Sequence, residues 1–229
     1  MTTWRDTPTK TITIDGTPFA FRELGDTSGV PVVFLHHFTA VLDDWDPRII
    51  DGIAARHHVI AFDNRGVGST GSRVPNEIEQ MGADAIAFIR ALGYDEVDLF
   101  GFSLGGAVAQ MVALQAPDLV RRMVLAGTGP RGGGGIWKMP FIVGGAYAKA
   151  FATRKDPRHF LFFPRNTEGK KAAKEYFDRL AEHTQDRSRP ISRQAAVAQL
   201  RAITPAACTP PTTCRSSRCP SWSPTAITT

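Results

Sequence analysis

Gly101-Phe102-Ser103-Leu104-Gly105 sets a serine hydroxyl midway between two glycines. A pattern this short arises by chance in many chains, so its surroundings decide what it means. Before it runs EVDLF, which reads as a buried strand, and after it runs LGGAVAQMVALQ, apolar at helical spacing. A serine at a tight strand-to-helix turn must take a strained backbone conformation, and flanking glycines leave room for the turn to pack closely. The hydroxyl then stands above the sheet, within reach of a small molecule. The Leu104 amide falls at a helix N-terminus, where partial positive charge favours a developing oxyanion. The chemistry open to such a group is attack on a carbonyl carbon and formation of a serine ester. The blander alternative is that Ser103 caps its helix and that Gly105 and Gly106 serve packing alone.

A turn of this kind needs a sheet beneath it, and the first 128 residues read as one. TKTITI and TPFAFREL flank Asp15-Gly16, a hairpin signal. VPVVFLHHF and HVIAFD are continuous apolar runs that suit strands buried on both faces. Between them DDWDPRIIDGIAARH reads as a short amphipathic helix. After the Gly/Ser/Pro loop NRGVGSTGSRVP, EIEQMGADAIAFIRALG reads as a longer helix that stops at Gly93. The helix after Ser103 ends before Pro117, and RRMVLAGT is one more strand. This alternation predicts an α/β fold: parallel strands with crossover helices, entered through an antiparallel hairpin. From Gly129 the rhythm changes. PRGGGGIWKMPFIVGG reads as a flexible Gly-rich stretch, and Ala146 to about Ile203 as helix throughout. The predicted organisation is a core over 1–128, a helical insertion over 129–203 and a separate tail over 204–229.

Composition excludes several roles. With 229 residues, 42% hydrophobic and 21% charged, the chain is of ordinary globular make-up. The net charge of +5 arises partly because no acid follows Asp186, and the basic residues are interleaved with acids before it. That distribution argues against a nucleic-acid partner. No window reaches the roughly 18 apolar residues of a membrane helix, and MTTWRDTPTK lacks the layout of a secretory leader. The expectation is a cytoplasmic protein with no membrane partner. Cys208, Cys214 and Cys219 have no metal-ligand spacing, and no histidine follows His183. Neither a metal nor any other cofactor is expected.

GFSLGG (101–106), together with LHHF (35–38), DNRGVGST (63–70) and the helical stretch after RRMVLAGT, resembles the α/β-hydrolase superfamily over most of residues 10 to 203. Among its members the chain is similar to the small cofactor-free lactonases, esterases and haloperoxidase-like enzymes. The resemblance implies Ser103 as nucleophile, the amides of Phe38 and Leu104 as oxyanion donors, and the helices after residue 129 as a lid. His37 departs from the family pattern, which has glycine there. His36 in this position helps hold its loop, His57 and His58 read as structural, and His159 and His183 as lid or surface residues. Asp63 and Arg65 read as a loop-organising pair. A serine at the nucleophile position favours acyl transfer to water from a small ester, lactone or related carbonyl substrate. The family's order is serine, then acid, then histidine, and no match for the acid or the histidine follows Ile203.

The segment TPAACTPPTTCRSSRCPSWSPTAITT has no Asp, Glu, Gly, Leu, Val or Phe. Its codons, read one base earlier from Cys219, permit V-P-V-L-V-A-N-G-D-H-D, a strand entering an acid-bearing turn. The apolar run is largely forced; the polar letters are one choice among those allowed. The expectation is a change of reading frame near Ile203 and Thr204, and a chain that is weakly active or inactive by itself. A genuine disordered tail of Thr, Pro and Ser is the alternative. For function, the alternative is a non-catalytic ligand-binding or interaction protein on the same fold. The sequence leaves the oligomeric state open.

Overall fold

The computed structural model describes residues 2–130, 138–182 and 186–204. His183, the three cysteines and the unusual segment from residue 205 onward lie outside the described residues. Six strands form one sheet in the order β1-β2-β4-β3-β5-β6. They are β1 (Lys10–Ile14), β2 (Thr17–Leu24), β3 (Val32–Leu35), β4 (Val59–Phe62), β5 (Val97–Phe102) and β6 (Val120–Ala126). The first two pair antiparallel, β2 joins β4 antiparallel, and β4, β3, β5 and β6 run parallel. Asp15 (φ 47°) and Gly16 (φ 74°) take the left-handed conformations that a two-residue hairpin turn demands.

Helices α1 (Pro47–Ala54), α2 (Ile78–Ala91) and α3 (Leu104–Gln115) cross over between the parallel strands. Asp46 starts α1 by accepting from the Arg48 amide ahead of Pro47 in the first turn. Gly93, at φ 86°, lies just past α2, in the position that favours glycine. The central strands are covered on both faces, as their apolar runs require, whereas β6 at the sheet's edge is largely exposed, with Val124 54% exposed. Phe19, Val33, Leu35, Ile60, Phe62 and Leu99 pack toward α2 and α3, with Phe62 stacked on Phe88 at 4.2 Å. Trp4, Phe34, Trp45, Ile50, Val59 and Ala61 form the second core. All four residues of β4 are buried.

Four helices follow: α4 (Met139–Thr153), α5 (Arg158–Leu161), α6 (Thr167–Ala181) and α7 (Arg193–Ile203). The stretch 139–145, expected to be flexible, is the start of α4. Pro140 stands in its first turn, where proline is tolerated. The buried stripe Val143, Ala146 and Ala150 stabilises the helix against Gly144 and Gly145, each of which costs about 1 kcal/mol. Nor is the stretch from Ala146 to Ile203 continuous helix: residues 186–192 cross back to the core without helix or strand.

Candidate active site

Ser103 joins β5 to α3 at φ 53° and ψ −111°, a conformation that non-glycine residues rarely hold. Such a backbone costs on the order of 1–3 kcal/mol and persists only where the surroundings enforce it. Here they do. The Ser103 amide donates to the Ala126 carbonyl of β6 at 2.9 Å, and its carbonyl accepts from the Gly106 amide at 3.0 Å. A Cβ on Gly105 would lie 2.0 Å from the Leu35 carbonyl oxygen, and one on Gly101 would lie 2.6 Å from the Gly105 oxygen. The first turn of α3 is thus pressed against the end of β3. Ser103 makes no side-chain capping bond to its helix, so the capping alternative fails. The Leu104 amide opens α3 and has no carbonyl to meet within the helix.

The loop after β3 approaches that turn. The Phe38 carbonyl accepts from His37 Nδ1 at 2.8 Å and from Thr39 Oγ1 at 2.7 Å. The first bond puts the His37 proton on Nδ1. Thr39, at φ 64°, donates its amide to Gln199 Oε1 of α7 at 2.8 Å. The His37 ring stands edge-on to Phe102 and Phe162, and burial lowers its pKa. His36 is fully buried, its pKa lowered by that burial to about 3, with Nε2 3.9 Å from Asp63 Oδ1. No imidazole or carboxylate of the described residues hydrogen-bonds the Ser103 hydroxyl.

Asp63 and Arg65 organise their loop, but not as a pair. Asp63 accepts from the amides of Leu42 (2.8 Å) and Ser69 (3.0 Å) and from Ser188 Oγ (3.3 Å), and burial pushes its carboxyl up to about 7. Arg65 instead grips Asp84 through two bonds of 2.9 Å. His58 lies between Glu23 and Tyr94, a structural role, and His159 stacks on Phe177 within the helical layer.

A cavity of about 980 Å³ lies between the sheet's end and the helical layer. Ser103, Phe38, His37 and Phe102 line it from the core side; Val143, Tyr147, Leu161 and Phe162 line it from the helices. Leu104 is buried beneath this wall. Among the described residues no cluster of His, Cys, Asp and Glu could hold a metal ion, and no helix is long and apolar enough to cross a membrane.

Sequence reasoning missed how the helices are fastened down. Asp44 pairs with Arg158, and Tyr176 Oη donates to the Asp44 carbonyl at 3.1 Å. Asp46 meets Arg179 at 2.6 Å. Arg22, fully buried, forms an ion pair with Asp43 at 2.9 Å and donates to Thr9 Oγ1 and the Asp186 carbonyl, each at 2.9 Å. The acid-rich DDWD was the available signal, but its basic partners stand far off in sequence.

The profile of the α/β hydrolase fold family matches residues 30–204. A solved α/β hydrolase fold protein from Chitinophaga pinensis superposes at a TM-score of 0.86 with 34% identity, covering 93% of this chain and 76% of that one. A non-heme chloroperoxidase of Streptomyces lividans is 34% identical over 120 residues, 52% of this chain and 44% of the relative. An enol-lactonase from Burkholderia xenovorans shares the fold at a TM-score of 0.61 with 19% identity, covering 85% of this chain and 73% of that one. The matched region spans less than half the length of such curated relatives. The family profile and the close superposition agree with the strand order and the strained serine turn: the chain belongs to the α/β hydrolase fold family.

Proposed function

We propose that Ser103 is the nucleophile of a hydrolase acting on a small ester, lactone or related carbonyl compound. The observation that carries this reading is the serine itself: uncapped, strained, and on the wall of a largely apolar cavity. Ser103 Oγ attacks the carbonyl carbon and its proton passes to a base. The carbonyl oxygen gains the negative charge and rests against the amides of Phe38 and Leu104. The tetrahedral species collapses to the acyl-serine as the alkoxide leaves with a proton, and water then releases the acid. Each oxyanion donor is worth roughly 2.7–4 kcal/mol in the barrier. The helices from residue 139 onward act as a lid that keeps water from the carbonyl.

The base and the acid that orients it are not met beside Ser103 among the described residues. His36 is held neutral by burial and His37 is tied to its own loop, so neither takes the role. We therefore infer that this chain alone turns substrate over weakly, because loss of a base costs several orders of magnitude in rate. The test is a fluorophosphonate probe and a p-nitrophenyl butyrate assay on the purified 229-residue chain, beside Ser103→Ala. Labelling confined to Ser103, with slow turnover, supports the reading. Absence of both labelling and turnover fits the missing base as well as a non-catalytic binding protein. The two are separated by a chain with its downstream reading frame restored, which labels and turns over only if Ser103 is the nucleophile. Fast turnover of the 229-residue chain overturns the missing-base part. The nucleotide sequence around codon 203, read in all frames, tests the expected shift.

A further inference from the structure

Arg187 lines the same cavity, and its guanidinium has no ion pair or hydrogen bond among the described residues. The other charged groups on that wall are committed. Asp43 is taken by Arg22 and by the Ser188 amide at 2.7 Å, and Arg158 holds both Asp44 and Asp156. Arg187 is also fixed at its backbone on both sides. The Asp186 carbonyl accepts from Arg22 Nη2 at 2.9 Å, and Ser188 donates to Asp43 and Asp63. Arg22 and Asp63 are each 0% exposed. Burying polar and charged groups is costly unless partners compensate, and here the buried side chains of Arg22, Asp43 and Asp63 hold the two residues that bracket Arg187. The outcome is an exposed, uncommitted cation whose Cα is fixed at the cavity wall. A guanidinium matches a carboxylate best, through two parallel hydrogen bonds.

We infer that Arg187 recognises a carboxylate on the substrate, remote from the carbonyl that Ser103 attacks, so that the cavity prefers half-esters or carboxylated lactones over neutral esters. This rests on the reading of Ser103 as nucleophile for which carbonyl reacts. Arg187 is a recognition residue and touches no reacting atom.

Monomethyl glutarate and its neutral counterpart dimethyl glutarate differ in the charge at stake. Their binding is compared by calorimetry in the full chain carrying Ser103→Ala, so that no ester is consumed, and again with Arg187→Gln or Arg187→Lys added. The expected result is about tenfold tighter binding of the half-ester, lost in Arg187→Gln and partly kept in Arg187→Lys. Equal or undetectable binding of the two esters overturns the inference, as does a preference that survives Arg187→Gln. An unchanged melting temperature shows that Arg187→Gln has kept the fold. Fluorophosphonate labelling of the unsubstituted chain is run alongside. Failure there and also in a chain with its downstream reading frame restored removes Ser103 as nucleophile, whereas the calorimetric comparison judges the carboxylate preference independently.

Discussion

Gly105→Ala is a sharp test of how the serine turn is held. The added methyl would sit 2.0 Å from the Leu35 carbonyl oxygen and 2.8 Å from that of His36, where ordinary contact begins at 3.4 Å. The first turn of α3 and the end of β3 must therefore part by about 1.4 Å. Neither obstacle is a side chain that can swing aside. Over-packing of this kind costs about 1–3 kcal/mol, set against a gain of up to about 1 kcal/mol from alanine's helix preference. On the proposed role of the Leu104 amide as oxyanion donor, displacing it by about 1 Å slows attack by Ser103 on the order of a hundredfold. Urea unfolding of Gly105→Ala should show a loss of about 1–3 kcal/mol, and fluorophosphonate labelling of Ser103 should slow about a hundredfold. Gly145→Ala is the matched control. Nothing lies within 4 Å of that position in α4, so the same change should raise stability by about 0.5–1 kcal/mol and leave labelling alone. If Gly105→Ala unfolds and labels like the unsubstituted chain, the close approach of helix to strand is not what holds the serine.

Ser103→Gly should be more stable than Ser103→Ala by about 1–2 kcal/mol in urea unfolding, since only glycine accepts φ 53° and ψ −111° freely; equal stabilities would deny the strain. Arg179→Met should cost about 1–3 kcal/mol and open α6 to limited proteolysis, because Asp46, largely buried, loses its partner at 2.6 Å. An unchanged cleavage pattern would mean that the ion pair does not hold the helix down. Asp63, raised to about 7 by burial, keeps a proton in the folded chain that the unfolded chain has released, so acidification from pH 8 to 5 stabilises through this group. His36, lowered to about 3, refuses a proton that the unfolded chain accepts below about 6.5, so acidification there destabilises. The two oppose each other, and His36→Leu should gain melting temperature from pH 8 to 5 relative to the unsubstituted chain; a relative loss would refute the assignment.

The sheet was legible because burial on two faces writes itself as continuous apolar runs, as in VIAF of β4, and because Gly101 and Gly105 mark two positions of a turn with no room for a side chain. Phe38, Ser103 and the start of α3 meet where those signals implied. Ion pairs carry no such periodicity. Nothing in DDWD names Arg22, Arg158 or Arg179 as partners, since the contacts depend on where the helices land. The glycines before Ala146 misled for a related reason: local preference argued for a flexible stretch, while the buried stripe of α4 came from tertiary contacts invisible along the chain.

Arg22 has a consequence for how the molecule assembles. Its guanidinium reaches back to Thr9 and across 164 positions to Asp186. Until that distant carbonyl arrives, the cation keeps its hydration and the space around it cannot close. Drying around β2 and arrival of the segment that begins at Asp186 are therefore coupled, and a chain stalled before residue 186 would keep water around a guanidinium that the finished protein seals from solvent.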